Sequence, residues 1–283
     1  MKIFPFKIPK PEQDALVYQE DMDSVFYDKL HQHEEIQISY ILEGEGTLVV
    51  GDTINYYKAT NIIVIGSNLS HVFKTDKSAS ATSKMISLFF TKTSFGNHFF
   101  DLEELNILSK FFKRAKLGFE ATSSKKNISG FFLKLKEASK FERFLILLQL
   151  LKALSSCNYI NLSSFVNEKR YTEIEGKRMQ NVFEYTMSHF TEDITLNEIS
   201  NVANMTKNAF CKYFKKRTNK TYFKFLNELR VEHASKLLLS ENDSSVAEIA
   251  YKSGFNNISN FNRLFKSIKK ESPTLFKKKQ FRL

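Results

Sequence analysis

The sequence predicts a multidomain α and β protein. A small N-terminal β-barrel is followed by helices, and the C-terminal part is all-α, with two helix-turn-helix units joined by a long helix. Three observations carry this expectation. Residues 30–95 alternate and turn like short strands, residues 97–160 change to a helical period, and residues 198–223 recur at 248–276. A chain of 283 residues with 42% hydrophobic content is long enough to bury two cores. The expected divisions are 1–96 for the barrel, 97–160 for a helical segment, 161–177 for a linker and 178–283 for the double helix-turn-helix domain.

In the first division, the turn signals EGEG (43–46) and GD (51–52) bracket the β-rich run TLVV, and IIVI (62–65) and MISLFF (85–90) supply further strands. Many short strands with tight turns suggest a small barrel or sandwich. HQHEEIQISYIL (31–42) alternates, so His31, His33, Glu35, Gln37 and Ser39 share one face, and Ile36, Ile38, Tyr40 and Leu42 share the other. An inward polar face would line a ligand cavity. His31, His33, Glu35, Gln37 and the later His71 are therefore the expected effector-binding residues. Three neutral imidazoles can bind Zn²⁺ or Fe²⁺. The expectation is nevertheless no metal and no cofactor, with the histidines either hydrogen-bonding an organic small molecule or simply lining the barrel mouth. No Ser/His/Asp set, phosphate-binding glycine loop or pair of acid–base carboxylates can be singled out, so no catalytic residue is assigned.

Helical periodicity follows in DLEELNILSKFFKRA (101–115) and FERFLILLQLLKALS (141–155), separated by an expected loop at SSKKNISG (123–130). The second of these is apolar nearly all round, which predicts burial either within the chain or by a partner copy; a homodimer is the expected assembly, although a helix buried within the chain would look the same. Its run FLILLQLL is too short to span a bilayer, and MKIFPFKIPKPEQD lacks the basic-then-apolar order of a signal peptide. No membrane partner is expected. Two distant cysteines, Cys157 and Cys211, fit a reducing, cytoplasmic setting.

The C-terminal repeat aligns Glu198-Ile199 with Glu248-Ile249, and Phe210 and Phe214 with Phe261 and Phe265. Each copy reads as a short helix, a tight turn and a second helix, with Ala203-Asn204 and Ser253-Gly254 in the turns. On the second helices the apolar stripe leaves Lys207, Asn208, Cys211, Lys212 and Lys215 exposed in the first copy. In the second copy it leaves Asn257, Ser259, Asn260, Asn262, Arg263 and Lys266. Asn can pair with adenine and Arg with guanine, while Lys and Ser suit phosphates. From Arg178 onward the chain holds 19 Lys and Arg against 10 Asp and Glu, so most of the +11 formal charge lies there. These residues are the expected contacts to double-stranded DNA, with the two helices in neighbouring major-groove segments ~34 Å apart.

The segments ITLNEISNVANMTKNAFCKYFKKRTNK, LNELRVEHASKLL and VAEIAYKSGFNNISNFNRLFKSIKKESPTLF resemble the DNA-binding domain of AraC-type transcription regulators. Glu271 stands where that family usually has Gly, and Lys220 likewise follows Asn219 in the first copy. HQHEEIQISYILEGEGTLVVGD and SNLSHVF look similar to the family's cupin-type sensor barrel. The resemblance implies an effector-responsive regulator, often an activator working with RNA polymerase, with residues 97–160 dimerising it. An alternative reading is a metal-dependent cupin enzyme with a basic nucleic-acid-binding module. A third is a non-specific architectural binder of DNA.

Overall fold

The computed structural model describes residues 14–77, 79–165, 172–241 and 243–280. The chain divides into two compact units between Gly176 and Lys177.

The first unit contains strands β1 (Val17–Asp23), β2 (Ile36–Glu43), β3 (Gly46–Val50), β4 (Thr53–Tyr57), β5 (Ile62–Ile65), β6 (His71–Thr75) and β7 (Ser83–Phe90). Two 3-10 turns, Phe99–Asp101 and Glu103–Leu108, lead into α1 (Ser109–Ala115), β8 (Phe119–Ala121), α2 (Lys125–Lys134), α3 (Lys140–Ser156) and β9 (Tyr159–Asn161). The strands form two separate sheets, in the orders β1-β7-β2-β5-β8-β9 and β4-β3-β6. The expected cupin-like barrel is therefore corrected: the first unit is a mixed α/β domain whose sheets do not close.

The reason lies at the edge of β5. One side of β5 pairs with β2, and the other is taken by β8, with Ile63 opposite Glu120 and Val64 opposite Phe119. β9 then pairs with β8. These two three-residue strands extend the larger sheet at the edge where closure would have needed the smaller one. The faces agree with an open, layered arrangement. Ile36, Ile38, Ile62, Val64, Leu88 and Phe90 pack on Phe111, Phe132, Leu147, Leu150 and Leu154 of the helices. On the opposite side, Ile41, Ile63, Ile65 and Met85 of the larger sheet pack on Leu48, Val50, Tyr57 and Phe73 of the smaller one. A strand covered on both faces needs apolar side chains on both, which β2 and β5 supply.

Two further elements differ from the sequence reading. SSKKNISG is not a loop: α2 starts within it at Lys125 and buries Ile128 and Phe132. The start of the expected linker packs on the first unit. Leu162 is buried, and the buried Asp52 carboxylate accepts hydrogen bonds from the Ser163 hydroxyl (2.7 Å) and the Ser164 amide (2.8 Å). Residues 166–171 of that stretch lie outside the described residues.

The second unit is all-α: α4 (Glu173–His189), α5 (Leu196–Val202), α6 (Lys207–Thr218), α7 (Tyr222–Ser240), α8 (Val246–Lys252), α9 (Ile258–Lys269) and α10 (Pro273–Gln280). α5 and α8 each begin with a capping box, Thr195 with Glu198 and Ser245 with Glu248, which satisfies amides at the first turn. α7 joins the two units of the repeat. Its Val231, Ala234 and Leu238 pack on Ile249, Phe255, Phe261 and Phe265. Among the described residues no helix is long and apolar enough to cross a membrane.

Candidate nucleic-acid interface and a buried histidine cluster

Each helix-turn-helix unit is held in place by its turn, its cap and the aromatic residues beneath it. Asn204 (φ 50°) and Gly254 (φ 84°) adopt the positive φ that lets the chain reverse between helices. Thr206 caps α6 by accepting from the Ala209 amide, and Asn257 caps α9 by accepting from the Asn260 amide at 2.9 Å. Under α6, Phe210 stands 5.6 Å from Tyr222 and Phe214 stands 5.9 Å from Phe225, ring centre to ring centre. Under α9, Phe261 lies between Phe255 and Phe265, at 5.1 and 5.5 Å. These contacts bury one face of each helix and turn the other outward.

Lys207, Asn208, Cys211, Lys212 and Lys215 are all exposed on α6. Asn257, Ser259, Asn260, Asn262, Arg263 and Lys266 are all exposed at or on α9. Asn257 has a second task as the helix cap. Arg263 Nη2 donates to Asn260 Oδ1 at 2.8 Å, which steadies the guanidinium on the outward face. Elsewhere in the unit Lys220, Lys252 and Lys269 are paired with Glu228, Glu241 and Glu232. The left-handed positions that close the two second helices are Asn219 (φ 55°) and Lys270 (φ 65°), one residue before the Lys220 and Glu271 pointed to by the sequence pattern. The T-x-x-E and S-x-x-E capping boxes are visible in the sequence as a motif repeated at the offset of Glu198 and Glu248.

The five expected effector-binding residues of the first unit come together. His31 and His71 form an antiparallel backbone bridge, with His31 N–H donating to the His71 carbonyl at 3.0 Å and His71 N–H to the His31 carbonyl at 2.8 Å. One ligating atom from each of His31, His33 and His71 lies within 4.8 Å of the others. The Nδ1 atoms face backbone carbonyls: His31 that of Lys29 at 2.8 Å, His33 that of Glu35 at 2.9 Å and His71 that of Leu69 at 2.9 Å. Gln37 Oε1 sits between His33 Nε2 (3.3 Å) and His71 Nε2 (3.2 Å). The Gln37 amide nitrogen donates to Ser39 Oγ at 2.9 Å, and Ser39 Oγ meets Ser87 Oγ at 2.8 Å. Glu35 flanks the group, with a carboxylate oxygen 3.8 Å from His33 Nδ1. Burial holds all three imidazoles towards the neutral form: His31 is pushed down to about 4, His33 is lowered, and His71 is well below the usual value. Gln37 and Ser39, on the odd-numbered face of β2, thus continue the histidine cluster as a packed polar chain, with the apolar Ile41 further along the same face.

Residues 199–279 match the family model described as a helix-turn-helix domain. An HTH-type transcriptional regulator of Bacillus subtilis (strain 168) is 32% identical over 105 residues, covering 37% of this chain and 36% of that protein. One from Staphylococcus aureus (strain COL) is 30% identical over 104 residues, covering 37% of this chain and 14% of its own length. Both are themselves uncharacterised, and the chain spans about a third or less of their lengths. Among solved structures, a DNA-binding transcriptional dual regulator from Escherichia coli K-12 is 19% identical, covers 38% of this chain and 94% of its own, and has a TM-score of 0.34. The C-terminal unit is a tandem helix-turn-helix domain similar to those of HTH-type transcriptional regulators.

Proposed function

We propose that the protein is an effector-responsive transcription regulator that binds double-stranded DNA through α6 and α9. The observation that carries this reading is the pair of second helices, each with aromatic residues buried on one face and amide, hydroxyl and cationic side chains exposed on the other. Asn260, Asn262 and Arg263 suit base edges in the major groove, and Lys207, Lys212, Lys215 and Lys266 suit phosphates. In this reading the protein works in the cytoplasm, where its DNA is, and activation proceeds through RNA polymerase. The first unit senses the effector. Its α3 leaves Phe141 (69% exposed) and Leu145 (42%) open to solvent, an apolar face suited to a second copy of the chain.

A pair of variants tests the DNA reading. Arg263→Ala is expected to cost roughly 1–3 kcal/mol of binding and to relax preference at one base position. Lys215→Ala is expected to weaken all sequences alike and to lower the salt dependence by about one phosphate contact. Equal affinity and unchanged sequence preference in Arg263→Ala would exclude α9 as a base reader.

A further inference from the structure

We propose that His31, His33 and His71, with Gln37 as a fourth donor, form a binding site for a first-row divalent transition metal ion in the first unit. The proposal deepens the sensing role given above by naming the chemistry of its buried site.

The hydrogen-bond pattern makes the case. A neutral imidazole carries one N–H. Each Nδ1 faces a backbone carbonyl, which only accepts, so the proton belongs on Nδ1 and the lone pair on Nε2. For His33 and His71 this is the arrangement in which metal-ligating histidines are held, with Nδ1 fixed by a carbonyl and Nε2 turned towards the site. His33 Nε2 and His71 Nε2 then confront Gln37 Oε1, itself an acceptor, at 3.3 and 3.2 Å. Three lone pairs meet with no hydrogen among them. A cation satisfies all three donors at once.

The spacing also fits. Four ligands at 2.0–2.1 Å in a tetrahedron stand about 3.3 Å apart, close to the 3.2–3.3 Å between Gln37 Oε1 and the two Nε2 atoms. The ligating atoms of the three histidines, within 4.8 Å of one another, close to that spacing by movements on the order of 1 Å. Three imidazoles and an amide oxygen form a neutral N₃O set, which suits Zn²⁺, Co²⁺, Ni²⁺ or Fe²⁺ rather than Mg²⁺ or Ca²⁺. The Gln37 carbonyl is aimed by Ser39 and Ser87 behind it, and the Glu35 carboxylate supports His33 from the far side. Because Gln37 lies on β2 of the larger sheet and His71 on β6 of the smaller one, an ion here joins the two sheets where they do not close.

The test uses the full chain without a histidine tag, stripped with chelator and titrated with Co²⁺, then with Zn²⁺ in competition, in the absence of DNA. Wild type is expected to take one Co²⁺ per chain, with a visible ligand-field spectrum and a metal-dependent rise in the melting temperature of the first unit. His33→Ala should lose that binding. Gln37→Glu, which replaces a neutral donor by a carboxylate of the same length, should bind Zn²⁺ tighter by on the order of tenfold. No saturable Co²⁺ uptake by wild type would overturn the proposal. It would mean that the Gln37 amide is turned to donate to both imidazoles. Uptake unaltered in His33→Ala would overturn it too, by placing the ion elsewhere. If His33→Ala does not fold, Gln37→Glu decides, and an unchanged Zn²⁺ affinity refutes the site. A protein that selects DNA sequences but takes no Co²⁺ refutes this inference alone.

Discussion

Replacing Gly254 by alanine should destabilise the second helix-turn-helix unit by an amount that can be worked from its surroundings. Gly254 lies at φ +84°, and a Cβ there would meet Phe190 O and Arg230 Nε at 2.8 Å and Thr191 Cα at 2.9 Å. The left-handed conformation costs an L-residue ~1–2 kcal/mol. Overpacking against backbone adds ~1–3 kcal/mol. Arg230 has little room to yield, because its Nε donates to Phe190 O and its Nη2 to Glu192 O, both at 2.6 Å. The sum is about 2–5 kcal/mol. Urea unfolding of the full chain, with hydrogen exchange read at α8 and α9, measures it. The first unit should unfold as before. A change below ~0.5 kcal/mol, the range of an ordinary surface substitution, would refute the claim that this turn requires glycine.

The same backbone argument predicts the opposite sign at Lys270, whose φ is 65° at the end of α9. Lys270→Gly should stabilise the second unit by ~1 kcal/mol, seen as a higher urea midpoint with an unchanged slope. The capping-box carboxylates predict an acid dependence. Backbone and side-chain hydrogen bonds from Ser245 hold Glu248 below its usual value, and Thr195 does the same for Glu198. A depressed carboxylate contributes stability that is present above the unfolded value of about 4.5 and is lost as pH falls through the lower folded value. Exchange protection of the first turns of α5 and α8 should therefore weaken below about pH 4.5, and Glu248→Gln, which can keep the reciprocal bond, should remove that dependence at α8. Asp52→Asn should cost the first unit ~1–3 kcal/mol by weakening charge-assisted bonds to Ser163 and Ser164, checked by urea unfolding.

The tandem architecture was legible because its signals are local and repeated. Phe210 and Phe214 recur as Phe261 and Phe265, and the turn residues Asn204 and Gly254 are the types that tolerate positive φ. The outward positions of α6 and α9 follow from helical period alone. Alternation does not specify a barrel, because it says which residues share a face and not what covers that face. Gln37 and Ser39 do lie on the opposite side of β2 from Ile36 and Ile38, as alternation requires, yet both faces are buried. β8 and β9, each three residues long, carry no periodic signal, and they occupy the edge where closure would have occurred. The histidine cluster was legible as a set of residues but not as a geometry. The His31–His71 bridge is a long-range pairing, and the Nδ1 contacts that orient the rings are to backbone carbonyls, which no side-chain pattern reports.

The central claim is that the outward faces of α6 and α9 read DNA sequence. Selection from a random duplex pool by the purified full chain, at near-physiological salt, tests it most directly. The account predicts enrichment of a bipartite motif, two short elements about one helical turn apart. Binding without enrichment, lost steadily as salt rises, would contradict it and leave only a non-specific polyanion surface.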